Sequence, residues 1–265
     1  MYSLFGVFTP EVPSTRWDDN EIIRIFESNP CLPGTDNRLV QISDECVVKL
    51  GVSFESACSE MLAMDLVRSQ ATIPVPRVWR VIDHVHPDGT GLIVMDLIRN
   101  GRQLHVCWSS LSIWAKLKDV HSSTPGPLGP QPSRCKGLQF GLESKGPFPT
   151  TTRLAEHFHG ELRQAENRYF RGQKPLDESI FAHLVLTHND LNMRNILLDN
   201  EGRLWLVDWG WSGFFPAGFE YLAMRFAAQK DREPKGWQTS IKFMAEPSFE
   251  MERWLVGIGY DYVDI

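Results

Sequence analysis

A chain of 265 residues can bury a sizeable core, and at this length two lobes of one catalytic unit are expected rather than two independent domains. The formal charge of -6 argues against a general nucleic-acid binder, because phosphate backbones reward basic surfaces. The five cysteines (Cys31, Cys46, Cys58, Cys107 and Cys135) are odd in number and free of C-x-x-C spacing, which argues against a disulfide framework or a zinc site and fits a reducing compartment.

In chain order, the opening from Met1 to Phe8 is too short for a signal-peptide core with a basic start. No run approaches the roughly 20 apolar residues of a membrane helix. A cytoplasmic protein with no membrane partner is therefore expected. Residues 38–42 and 47–50 read as two strands joined by a turn at Ser43, Asp44 and Glu45. Residues 53–68 carry Ala57, Met61 and Met64 at helical spacing, with Leu62 and Leu66 widening the apolar face and Glu60 among them. Val81 and Ile82, then residues 91–97, supply further strands. A helix is expected over 111–121, with Leu111, Trp114 and Leu117 repeating every three residues. The Pro/Gly-rich stretch 124–132 reads as a surface insertion rather than a domain boundary. A helix over about 152–170 sets His157 and His159 on different faces, which makes them poor joint metal ligands.

The densest chemistry lies in the run from His188 to Leu198 and the run from Leu204 to Gly210. Asp190 is followed five residues later by Asn195, then by a second aspartate, Asp208, after two apolar strands separated by a turn at residues 199–203. A hairpin there returns the chain to one end, so that Asn195 and Asp208 can face one metal ion. This is the layout of a catalytic loop and a metal-binding loop in phosphoryl transfer. The transfer needs a base for the attacking hydroxyl, met by Asp190, and hard oxygen ligands for magnesium, met by Asn195 and Asp208. Upstream, Lys49 is the strand lysine for nucleotide phosphates and Glu60 its helical partner. The main chain of Met95, Asp96 and Leu97 is where the adenine is expected.

On these residues, together with Thr72-Ile73-Pro74-Val75-Pro76, Val120-His121 and Val207-Asp208-Trp209, the chain resembles the aminoglycoside phosphotransferase family, especially its fungal-type members of unassigned substrate. The resemblance covers about residues 35–225. It implies an α+β, two-lobed protein-kinase-like fold, with a small β-rich N-lobe over about 1–97 and a mostly helical C-lobe over about 98–265. It also implies transfer of the γ-phosphate of ATP or GTP, with Mg2+, to a hydroxyl of a small metabolite or aminoglycoside-like acceptor. By that match Asp190 is the base, Asn195 and Asp208 are the metal ligands, and Lys49 with Glu60 is the phosphate-positioning pair.

The chain departs from the family at Asn189, where Gly is usual before the catalytic Asp, and at Gly210, where Glu is common. It also lacks a G-x-G-x-x-G loop, residues 33–38 being the nearest substitute. These departures keep two alternatives open: a kinase-like pseudoenzyme or binding protein, and a nucleotide-dependent enzyme of secondary metabolism with other chemistry. No Ala-Pro-Glu element follows Asp208, so a small hydroxylated acceptor is expected over a peptide, with no obligate protein partner. Glu220, Asp231 and Glu233 either favour a cationic acceptor or form a charged face toward water. The aromatics Trp209, Trp211, Phe214, Phe215, Phe219, Tyr221, Trp237 and Trp254 are expected to be core first and a ligand wall second.

Overall fold

The computed structural model describes residues 17–33, 39–71, 73–83, 90–103, 116–141, 143–166 and 174–257. The chain divides into two compact units, Met1–Ala57 with Pro76–Arg99, and Cys58–Val75 with Asn100–Ile265. The helix Phe54–Gln70 passes from the first unit into the second.

The first unit contains an antiparallel sheet of β1 (Leu39–Gln41), β2 (Cys46–Gly51), β3 (Val78–Asp83) and β4 (Gly91–Asp96), in the order β1-β2-β4-β3. Ser43 makes the expected turn, its Oγ accepting from the amides of Glu45 at 3.2 Å and Cys46 at 3.0 Å. Against the sheet lies the helix Asp19–Ser28, opened by a reciprocal cap in which Asp18 accepts from the Glu21 amide and Glu21 from the Asp18 amide. Its Ile22 and Phe26 pack with Val40, Val48, Ile82, Leu92 and Val94. Strand alternation puts Val48 into that core and Lys49 on the opposite face, where Lys49 pairs in register with Leu39 and Ile93.

The second unit holds two three-stranded sheets. One orders β10 (Gly213–Pro216), β7 (Leu184–Thr187) and β6 (His121–Ser122); the other orders β5 (Arg102–Gln103), β8 (Ile196–Leu198) and β9 (Leu204–Leu206). Helices Thr151–Glu166, Ser179–Ala182, Gly218–Lys230, Lys235–Met244 and Phe249–Gly257 complete it. Its core is aromatic: Phe140 lies 5.5 Å from Phe215 and 5.7 Å from Phe158, and Phe158 lies 5.5 Å from Phe219 and 6.1 Å from Trp254, centroid to centroid. Trp209, Phe215, Phe219, Tyr221, Trp237 and Trp254 are all buried, so the C-terminal aromatics are chiefly core. His157 packs among Phe140, Phe148 and Phe158, and His159 bonds the Leu176 carbonyl through Nε2. Among the described residues, no helix is long and apolar enough to cross a membrane.

Two local expectations are corrected, and a third runs beyond the described residues. In the helix Phe54–Gln70 the buried stripe is Ala57, Glu60, Met64 and Val67, with Ala63 beside it, while Met61, Leu62 and Leu66 are only half-buried. A polar residue that must be inside breaks the apolar spacing used to find the face. Residues 120 and 121 do not close a helix, because His121 pairs with Val185 in β6; Leu111 and Trp114 lie outside the described residues. The helix expected to reach about residue 170 is described as Thr151–Glu166, and the rest of that span lies outside the described residues, as do Gly34 to Arg38 and Cys107.

Gly91 fixes how closely the start of the helix Phe54–Gln70 approaches β4, since a Cβ there would lie 2.8 Å from Ala57 Cβ and 2.9 Å from Phe54 Cα. Gly91→Ala should therefore lower stability by about 1–3 kcal/mol, as overpacking does. The midpoint of urea unfolding measures it, and an unchanged midpoint would mean that the contact relaxes at no cost.

Candidate active site

The second unit brings Asp190, Asn195, Asp208 and Glu60 together through two short loops. The first leaves β7 at His188 and turns at Asn189, whose φ of 67° lies in the left-handed region. The second leaves β9 and turns at Asp208, with φ of 65°. Asn and Asp are the non-glycine residues that adopt this conformation most readily. The Asn189 departure thus keeps the backbone that a glycine would supply.

Between the loops, β8 and β9 form the expected hairpin, with Ile196 opposite Leu206 and Leu198 opposite Leu204. Asp199 closes its far end, accepting from the amides of Glu201 and Arg203 at 2.9 Å each and from Arg203 Nε and Trp205 Nε1 at 2.8 Å each. These donors, the Trp205 indole first, hold the Asp199 carboxyl well below the usual carboxylate range. At the near end, the Val207 amide donates to the Asn195 carbonyl at 3.0 Å, so both metal-ligand candidates leave the hairpin from the same end.

Asp190 is buried and heavily bonded. Asn195 Nδ2 donates to its Oδ2 at 2.9 Å and to its carbonyl at 2.8 Å; Asn192 Nδ2 donates to Oδ1 at 3.0 Å and to the same carbonyl at 2.8 Å. With both Asn195 amide hydrogens engaged, Oδ1 is the atom that this side chain can offer a cation. Asn192 also caps the turn Met193–Asn195, its Oδ1 accepting from the Asn195 amide at 3.2 Å. Arg194 places its guanidinium 3.3 Å from Asp190 Oδ1 and pairs with Asp231 on its other side. Burial pushes the Asp190 carboxyl up to about 6, Arg194 pulling it down and the charge of Asp208 adding to the rise.

His188 locks the two loops together, and Glu60 holds the second. His188, fully buried, uses Nδ1 to accept from the Asp190 amide at 3.3 Å and Nε2 to reach the Val207 carbonyl at 3.0 Å. A ring that accepts at Nδ1 and donates at Nε2 is neutral. It also packs on Trp209 at 4.6 Å. Glu60 accepts the Trp209 amide through Oε1 at 3.2 Å, so this glutamate, expected only as a lysine partner, fixes the loop that carries Asp208. Gly210 lies against it: a Cβ there would sit 3.4 Å from Glu60 Oε2 and 3.7 Å from Asp208 Oδ1, leaving a glutamate at this position crowded by two carboxylates.

Glu220 was expected at an acceptor or on a water-facing surface, and that reading is corrected. It has no exposed surface, and its Oε2 accepts from the amides of His188 at 2.6 Å and Asn189 at 3.3 Å, under the loop that carries Asp190. Burial raises its carboxyl to about 7 against the pull of the amides of His188, Asn189 and Leu191. Asp231 is bound to Arg194, and Glu233 accepts from the Met193 main chain. All three acids therefore hold the loop. The sequence signal for this was only that Glu220 lies within an apolar run, Phe219 to Ala223.

Lys49, Met95, Asp96 and Leu97 belong to the first unit. Lys49 is 5% exposed on β2, and Met95 is buried on β4. The Asp96 carboxylate is engaged by the Arg77 amide at 3.0 Å and Trp79 Nε1 at 2.8 Å. The amides of Asp96 and Leu97 donate to the carbonyls of Arg77 and Glu45 at 3.0 Å and 2.7 Å, so they are already committed. Among the described residues no three His, Cys, Asp or Glu side chains cluster as a metal site. One carboxylate and one amide oxygen still match magnesium, which usually takes one or two protein carboxylates and completes its shell with phosphates and water.

Between about pH 4.5 and about 7 the folded chain keeps on Glu220 a proton that the unfolded chain releases, so stability falls as pH rises through that window. The wild-type protein should accordingly lose stability relative to Glu220→Gln on going from about pH 5 to about pH 8. Urea unfolding midpoints measure it; a pH-independent difference would mean that Glu220 stays ionised throughout.

No family model matches the chain, and no curated protein matches it in sequence. Among solved structures, it is similar to the "Putative fructosamine-3-kinase" of Haemophilus somnus 129PT, with 13% identity, a TM-score of 0.52, and 88% of this chain and 83% of that one covered. It is also similar to a thermostable mutant of aminoglycoside phosphotransferase APH(4)-Ia, at 15% identity, TM-score 0.47, covering 91% and 88%. A third likeness is choline kinase LicA of Streptococcus pneumoniae, at 16% identity, TM-score 0.46, covering 84% and 78%. The chain shares the fold of the first of these structures, a kinase by name.

Proposed function

We propose that this protein is a small-molecule kinase that transfers the terminal phosphoryl group of ATP or GTP to a hydroxyl group. One observation carries the proposal: Asp190 is held by Asn195 Nδ2, which leaves Asn195 Oδ1 for a cation, while the hairpin brings Asp208 back to the same end. A base and two oxygen ligands in this order are what the transfer requires of the protein.

Asp190 accepts the proton of the acceptor hydroxyl as the hydroxyl oxygen bonds to the terminal phosphorus, and the bond from that phosphorus to the leaving nucleoside diphosphate breaks. With its carboxyl at about 6, Asp190 is mostly ionised at neutral pH and still basic enough to take a proton. Asn195 Oδ1 and the Asp208 carboxylate are the ligands offered to magnesium, whose charge when bound offsets that on the transferring phosphate. Lys49 is assigned to the nucleotide phosphates, with Glu60 as its partner. The main chain at Met95, Asp96 and Leu97 is assigned to the base, read through groups other than the Asp96 and Leu97 amides. Glu220, Asp231 and Glu233 bond the loop that carries Asp190, so they supply no argument for a cationic acceptor.

Thermal-shift titration with ATP and GTP, each with and without magnesium, tests the nucleotide site. A magnesium-dependent rise in melting temperature is expected for the wild-type protein and should be lost in Asp208→Asn; the same rise in the variant would remove Asp208 from the metal site. Asp190→Asn should keep the shift while nucleotide turnover falls about a hundredfold to ten-thousandfold, the usual worth of general-base catalysis. Turnover at the wild-type rate in that variant would refute the role of Asp190.

A further inference from the structure

The Asn189 side chain leaves the catalytic loop and joins a separate segment. Its Nδ2 donates to the Lys136 carbonyl at 3.0 Å, and its Oδ1 accepts from Gln139 Nε2 at 3.0 Å. Gln139 Nε2 also donates to the Phe219 carbonyl at 2.6 Å, one residue before the glutamate that holds the Asn189 amide. The bonds form a closed circuit: Asn189 side chain to Gln139, Gln139 to Phe219, and Glu220 back to the Asn189 main chain. Asn189 and Gln139 are both fully buried, where water cannot replace a lost partner.

Segment 136–140 is shaped for this contact. Gly137 has φ of 138°, and a Cβ on it would lie 2.5 Å from Asn189 Nδ2, so the backbone passes where no side chain fits. Cys135 bridges Lys145 through reciprocal main-chain bonds at 2.8 Å and 3.0 Å, closing the loop that presents residues 136–140. Phe140, at the end of the segment, is set into the aromatic core beside Phe215 and Phe219. The segment is therefore anchored in the core at one end and to the residue preceding Asp190 at the other.

We propose that Asn189 is a positioning residue for phosphoryl transfer: it moors segment 136–140 to the catalytic loop through Lys136 and Gln139, and thereby holds Asp190 in place. A glycine at position 189 would keep the left-handed turn and lose the mooring. This chain thus uses a non-glycine side chain suited to the turn to add a support that glycine cannot provide. The inference rests on the kinase proposal for its catalytic half, and on hydrogen bonding alone for its structural half.

The test compares wild type with Asn189→Gly, Gln139→Ala and the double variant, all as full chains. Magnesium-dependent ATP hydrolysis, with water as the acceptor, gives kcat and KM, and hydrogen exchange reports on residues 136–141 and 188–192. Asn189→Gly should lower kcat roughly tenfold to a hundredfold, the scale of a small misplacement of a reacting group, while KM for ATP and the magnesium-dependent thermal shift stay unchanged. The double variant should lose less than the product of the single losses, because both remove the same bond. Exchange should rise in the two segments together. Wild-type kcat in Asn189→Gly, or losses that multiply independently, would overturn the positioning role. Unchanged exchange at both segments would overturn the mooring. If the wild-type protein shows neither an ATP shift nor hydrolysis, the kinase proposal fails and takes the catalytic half with it, while exchange still decides the mooring.

Discussion

The loop that carries Asp190 depends on a carboxylate with no access to water. A chain leaving β7 and turning sharply presents successive amides with no strand partner, and an unpaired buried amide is costly. Glu220 meets that need from the first turn of the helix Gly218–Lys230, accepting from His188 and Asn189 with one oxygen. A helix start favours a negative side chain, which partly offsets the cost of burying one. The balance remains close, since burial still raises the carboxyl to about 7.

From this point the rest of the site follows in sequence. With the main chain of His188 fixed, its ring can span the Asp190 amide and the Val207 carbonyl and so join the two loops. Trp209 packs on that ring and hands its amide to Glu60. Both loops turn at a left-handed residue, Asn189 in one and Asp208 in the other. Conformations of this kind cost energy and persist where the surroundings over-determine them. Here the surroundings are hydrogen bonds to fully or nearly fully buried groups. That explains why the departure at Asn189 leaves the loop intact, and why a small residue at Gly210 suits a position pressed against the Glu60 carboxylate.

Much of the local structure could be read from the residues. The β8–β9 hairpin was marked by two apolar runs around Asp199-Asn200-Glu201-Gly202, and the sheet of the first unit by Val/Ile-rich runs around Ser43. The helix Asp19–Ser28 is marked by its cap rather than by a long apolar pattern: Asp18 and Glu21 ahead of Ile22, Ile23 and Phe26 spell a capping box. The buried face of the helix Phe54–Gln70 was displaced because Glu60 is inside, and apolar periodicity cannot register an acid that tertiary contacts require. The same blindness sent Glu220 to the surface or to a cationic acceptor: charge is read as exposure unless a partner is visible, and its partners are main-chain amides distant in sequence, whereas Asp231 is exposed as well as paired with Arg194.

By itself, the sequence determined the spacing of Asp190, Asn195 and Asp208 and the hairpin that returns the last two to one end, because these depend on contacts within about twenty residues of chain. Only the tertiary structure decided which acids hold the loop, which face of the helix Phe54–Gln70 is buried, and that Asn189 reaches Lys136 and Gln139 some fifty residues away. Those outcomes turn on buried polar groups finding partners. Such pairing is set by where distant segments come to rest in the fold, and no local pattern of residue types encodes it.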